Sequence, residues 1–60
     1  MLSERDLIRF KKYVEEDLFE KQRLLPMLQQ KNINMARLVQ YQINEMMALL
    51  FRIEKELSRI

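Results

Sequence analysis

The chain has 60 residues, of which 48% are hydrophobic and 33% charged, with a formal net charge of +2. It contains no Cys, His or Gly and one Pro, which excludes disulfides, an ordinary zinc site and a glycine-rich phosphate loop, and removes the commonest general base and activated nucleophile. The apolar content is too high for a disordered chain, and the weak charge creates no field that by itself selects nucleic acid or an anionic membrane.

Good helix formers dominate (Leu, Met, Glu, Lys, Arg, Gln), so the expected fold class is all-α. The first helix is expected from about residue 3 to 31. Ser3 can act as N-cap, with Glu4 and Asp6 at the positive end of the helix dipole. Leu2 and Leu7 occupy the two positions of a hydrophobic staple. Apolar residues then repeat at a spacing of eleven: Leu7 and Leu18, Ile8 and Phe19, Tyr13 and Leu24, Val14 and Leu25. Eleven residues are close to three whole turns, which predicts one broad buried face with Phe10 at its edge. Lys11, Lys12, Glu15, Glu16 and Arg23 would then lie on the wet side, with Lys11–Glu15, Lys12–Glu16 and Asp17–Lys21 as i,i+4 ion pairs.

Pro26 interrupts this pattern. Inside a helix it removes a hydrogen bond and its ring collides with the carbonyl four residues back, at a cost of ~3 kcal/mol. It either bends a helix that continues to about Lys31 or ends the helix near Leu24. The first alternative matches the length of the second helix, as a hairpin favours. Asn32 and Asn34 are the better turn residues and either can cap the second helix, placing the turn at about 31–34.

The second helix is expected from about 33 to 59. It carries an unbroken heptad seam, Ala36, Val39, Ile43, Met46, Leu50, Ile53, Leu57 and Ile60, alternating steps of three and four. This is the rhythm by which one helix inserts its side chains between those of a neighbour. The whole chain, 1–60, thus reads as one antiparallel two-helix hairpin assembling into a helical bundle or coiled-coil oligomer. A domain of this size buries only ~60% of the surface of its unfolded chain, and with metals and disulfides absent, self-association is the remaining staple.

Met46 to Phe51 is a run of six apolar residues covering every side of the helix. A helix that is apolar all round is buried all round. In a lone hairpin, Met47 and Phe51, displaced from the seam, would face water. The expected oligomer interface is therefore Val39, Ile43, Met46, Met47, Leu50, Phe51, Ile53 and Leu57. The belt could instead dock another protein, since methionines repack easily; methionine in a helical stripe is more often core, so self-assembly leads. Gln40, Gln42 and Asn44 could fix register by inter-helix hydrogen bonds or form a neutral surface.

Catalytic residues, cofactors and a metal site are not expected. Glu16 and Glu20 could touch a cation, but a solvated acidic face is the simpler reading. The rival class is an RNA- or DNA-binding bundle, which would need Arg5, Arg9, Lys12, Lys21, Arg23, Lys31 and Arg37 gathered into a stripe. Asn34-Met35-Ala36-Arg37-Leu38-Val39, with Gln42 after it, resembles the opening of the first helix of ColE1-type plasmid copy-number regulators, and the heptad register lines up through Ile53. Those proteins are hairpins that dimerise into four-helix bundles and grip paired RNA loops. The match covers under half of this chain and falls on its second helix, and Leu38 stands where such a face uses an aromatic residue. The resemblance therefore implies similar packing and no family membership.

The N-terminus lacks a basic region followed by an apolar run, and the least charged stretch, Leu38 to Phe51, is shorter than the ~20 residues of a membrane span. A membrane-surface role would need Lys and Arg bordering the apolar belt, which has only Glu45 and Arg52 at its edges. The expectation is a cytoplasmic, non-enzymatic module binding itself and another protein, of the regulator, adaptor or assembly-factor kind that bacteria and phages encode in small reading frames.

Overall fold

In the computed structural model, which describes residues 3–59, the chain is two α-helices, α1 (Glu4–Lys31) and α2 (Ile33–Ser58). Leu2 of the expected staple and Ile60 of the expected seam lie outside the described residues. The long axis of the molecule measures 43 Å and the two short axes 15 Å each. A 28-residue helix is about 42 Å long at ~1.5 Å per residue, so the helices lie side by side and antiparallel. The expected all-α hairpin is the observed fold.

Each end is set by a named cap. Ser3 is extended (φ −76°, ψ 164°) and its hydroxyl accepts a hydrogen bond from the Asp6 amide at 3.2 Å. One residue, Asn32, serves both helices. Its amide donates to the Leu28 carbonyl at 2.7 Å, closing α1. Its side-chain oxygen accepts from the Met35 amide at 3.2 Å, and its carbonyl accepts from the Ala36 amide at 3.0 Å, opening α2. A single extended residue (φ −152°, ψ 91°) thus reverses the chain while satisfying orphan groups on both sides. Of the two asparagines able to cap α2, Asn32 does so and Asn34 lies within the helix. At the far end, the Arg59 amide donates to the Glu56 carbonyl at 3.2 Å and the Ser58 hydroxyl to the Lys55 carbonyl at 2.7 Å.

Pro26 lies inside α1, which runs on to Lys31. Pro26 is exposed, so the Gln22 carbonyl that loses its partner is on a side that water can reach. Leu25 and Leu28, one before the proline and two after it, are both partly buried, so the packed side of the helix continues across the proline.

The α2 seam is the line of packing between the helices. Ala36, Ile43 and Ile53 are buried, and Val39, Met46, Leu50 and Leu57 are half-buried. On α1 the partly or fully buried residues are Leu7, Lys11, Val14, Leu18, Lys21, Leu25 and Leu28. Their steps are four, three, four, three, four, three, so α1 carries a heptad seam as well. The broad eleven-residue face expected from sequence does not pack as a whole. Leu7, Val14, Leu18 and Leu25 point inward, while their supposed companions Ile8, Tyr13, Phe19 and Leu24 are exposed. Two positions of the true seam are filled by lysine, which hides it from a search for apolar residues.

The two seams mirror one another about Asn32. Leu28 and Ala36 stand equally far from it, as do Leu25 and Val39, Lys21 and Ile43, Leu18 and Met46, Val14 and Leu50, Lys11 and Ile53, and Leu7 and Leu57. This gives seven layers of an antiparallel coiled coil. Lys11 and Lys21 fit because their apolar stems can line the seam while the ammonium groups reach its edges. Lys11 Nζ lies 3.8 Å from Glu54 Oε1 on α2, and Lys21 Nζ lies 2.8 Å from Asp17 Oδ2 on α1. Of the expected i,i+4 pairs, Asp17–Lys21 forms. Lys11 is drawn across to Glu54 instead, because it sits in the seam beside α2 rather than on the wet face.

Candidate docking surface

The internal seam accounts for six of the eight residues expected at an oligomer interface. Val39, Ile43, Met46, Leu50, Ile53 and Leu57 all pack between α2 and α1 of the same chain. Met47 and Phe51 do not; they are 51% and 68% exposed. A helix wheel drawn from the seam shows why. Met47 and Phe51 flank Ala36, Ile43, Leu50 and Leu57 on one side, so they line a lateral face of the hairpin rather than its interior.

In an antiparallel pair, positions that flank the seam on the same side of each helix meet on one lateral face. The first such face carries Ile8, Lys12, Glu15, Phe19, Gln22, Pro26 and Gln29 from α1 and Arg37, Gln40, Asn44, Met47, Phe51 and Glu54 from α2. Its apolar centre is Phe19, Met47 and Phe51. Phe19 is 62% exposed, although the sequence pattern places it in the α1 core. Gln40 and Asn44 pair with each other along α2, Gln40 Nε2 donating to Asn44 Oδ1 at 3.1 Å, so they do not bridge the helices.

The opposite lateral face carries Phe10, Tyr13, Leu24 and Met27 from α1 and Met35, Leu38 and Leu49 from α2, all exposed. Its apolar residues form two groups, one toward the turn and one toward the open end. Asp17, Glu20 and Glu45 lie between them, with Lys21 bound to Asp17. The two faces therefore differ at their middles: one has Phe19, Met47 and a single carboxylate, Glu15, and the other has three carboxylates.

Among the described residues, thirteen large apolar side chains are exposed and only four apolar side chains are buried. Single exposed apolar residues are ordinary, but contiguous ones mark contact surfaces. No group of His, Cys, Asp or Glu that could hold a metal ion occurs among the described residues. A surface hollow along the outer side of α1, between Lys12 and Glu20, is open to solvent and lined mainly by Glu15, Glu16, Asp17, Glu20 and two aromatic rings. It is a groove on one helix with no convergent polar groups from a second element.

Two of the cations that a nucleic-acid stripe would need are engaged by carboxylates. Lys21 is in the seam and bound to Asp17, and Arg23 lies 4.0 Å from Glu20. Among the described residues, no helix is long and apolar enough to cross a membrane. No family model, curated protein or solved structure matches the chain.

Proposed function

We propose that this chain is a non-enzymatic, self-associating helical binding module, serving as a regulator, adaptor or assembly factor in the cytoplasm. The observation that carries the reading is the division of its apolar residues. Both heptad seams are consumed within the hairpin, yet thirteen large apolar side chains remain exposed outside them. A 60-residue hairpin with four buried apolar side chains has a small core for its length. Covering the lateral faces adds the burial that the interior lacks, at roughly 1.5–3 kcal/mol for each large apolar side chain fully covered.

The two seam lysines bear on how such assembly proceeds. If hairpins opened and docked seam to seam, Lys11 and Lys21 would enter a closed core and lose the water at its edge, which is costly for an ammonium group. Lateral association leaves the intramolecular coiled coil intact and both lysines at its border. An RNA- or DNA-binding role has weaker support, because Lys21 and Arg23 are paired with neighbouring carboxylates.

Sedimentation equilibrium from micromolar to millimolar protein tests the proposal. The expected result is a mass rising above one chain in that range, with a melting temperature that climbs with concentration. A monomer throughout, with a concentration-independent melt, would refute it. Binding to duplex or looped RNA that falls steeply with salt would favour the nucleic-acid role instead.

A further inference from the structure

We infer that the lateral face centred on Phe19, Met47 and Phe51 is where a second copy of the chain docks, antiparallel and about a two-fold axis. The inference rests on the self-association proposed above and adds the surface and the orientation.

A two-fold interface is isologous: each residue at a given distance from the axis meets its counterpart at the same distance on the other side. Counting out from Asn32, Met47 stands level with Asp17 of α1, and Phe51 with Tyr13. The paired region runs from Leu7 to Leu28, so its middle falls between Asp17 and Leu18. Phe19 and Met47 lie within about 3 Å of that middle along the axis, at ~1.5 Å per residue. A two-fold axis there sets the exposed Phe19 and Met47 of one copy against those of the other, with Phe51 extending the contact on each side. Aromatic and methionine side chains dominate such contacts energetically and adapt to one another.

The charges agree with the same axis. Arg37 stands level with Met27, about 14 Å from the middle toward the turn, and Glu54 level with Phe10, about 11 Å away toward the open end. Rotation about the axis therefore brings Arg37 of each copy near Glu54 of the other, twice over. Glu54 is half-exposed beyond its 3.8 Å contact with Lys11, so it has capacity for a second cation. Between these ends lie the uncharged Gln22, Gln40 and Asn44, with Glu15 about 4 Å from the middle and Lys12 about 8 Å from it, so each copy brings one carboxylate beside the axis where the opposite face brings three.

The opposite face fails the same operation. Asp17, Glu20 and Glu45 surround its middle, so a two-fold axis there would gather six carboxylates in a desolvated centre, against the two lysines on Asp17 and two arginines at the rim, 4.0 Å from Glu20. A parallel arrangement brings the same carboxylates together.

The test uses three sets of variants of the full chain, with helicity by circular dichroism as the control for folding. Met47→Lys, which places an unpaired charge at the proposed centre, should raise the dimer dissociation constant by roughly 100-fold or more. Leu38→Lys, on the opposite face, should leave it within a few-fold. The reverse pattern overturns the inference while leaving self-association standing; a wild-type chain that stays monomeric at millimolar concentration overturns both. Orientation is read by cross-linking, since the chain has no cysteine of its own. With a short bismaleimide, Asn44→Cys should join to its copy. Gln29→Cys should not, because antiparallel docking separates the two thiols by about 35 Å along the axis. Equal joining at both positions would establish parallel docking and refute the antiparallel arrangement, and joining at neither would refute the face.

Discussion

Ile43 is 3% exposed and stands in the layer opposite Lys21. Truncating it to Ala removes three buried carbons from a layer whose other member supplies only a lysine stem. Such substitutions cost ~2–5 kcal/mol where the site cannot collapse. A domain of this length has a total stability of ~3–9 kcal/mol at the usual ~0.05–0.15 kcal/mol per residue. Ile43→Ala therefore removes a large share of that stability, and its helical dichroism should be lost well below the melting temperature of the wild type. Ile43→Val removes one carbon and should cost ~0.5–1.5 kcal/mol, lowering the melting temperature by about 4–8 °C per kcal/mol in a chain this small. Thermal unfolding followed at 222 nm, at one fixed protein concentration, measures both. Leu38→Ala, at a side chain half open to water, is the control and should change stability by less than ~0.5 kcal/mol. If Ile43→Val melts no lower than Leu38→Ala, the inter-helix seam is not the core and the layer assignment is wrong.

Asn32→Ala removes the oxygen that caps α2, and should cost about 1 kcal/mol by urea unfolding, with Asn32→Gly losing only a few tenths; equal losses would show that the side chain is not acting as a cap. Pro26→Ala restores the amide that the Gln22 carbonyl lacks, and should stabilise the hairpin by up to ~3 kcal/mol, seen as a higher urea midpoint with an unchanged slope; a destabilised variant would mean that the proline ring itself packs. Replacing Lys11 with Met removes a partly exposed ion pair worth ~0–1 kcal/mol and extends the apolar seam, so its melting temperature should equal or exceed that of the wild type, and a fall of several degrees would show that the Lys11–Glu54 contact matters more than its exposure implies.

The second helix is readable because nothing polar interrupts its seam. From Ala36 to Leu57 each seam position is apolar, and all seven are buried or half-buried. The turn is readable to within two residues, since asparagine is both a breaker and a cap. The first helix is harder. Lys11 and Lys21 occupy seam positions, so a search for apolar residues finds the eleven-residue coincidence of Leu7 with Leu18 and Val14 with Leu25 instead of the heptad. That coincidence places Phe19 and Tyr13 indoors and hides the lateral face that Phe19 shares with Met47 and Phe51. The sequence nonetheless holds the information: reflecting the α2 heptad through Asn32 lands on Leu7, Lys11, Val14, Leu18, Lys21, Leu25 and Leu28. Lysine must be allowed as an amphipathic seam residue for the reflection to be recognised.

The one-residue turn also governs the order in which the structure can form. Every pairing between the helices closes a stretch of chain centred on Asn32, beginning with Leu28 against the small Ala36. Each later layer lengthens that closed stretch by six or eight residues that the preceding layer already holds in line, so the entropy of closure is incurred mostly at the first step. The hairpin should therefore zip from the asparagine outward, quickly, as chains of low contact order do. Its last layer, Leu7 with Leu57, would be the first to open, and amide exchange should quicken from the turn toward the two ends.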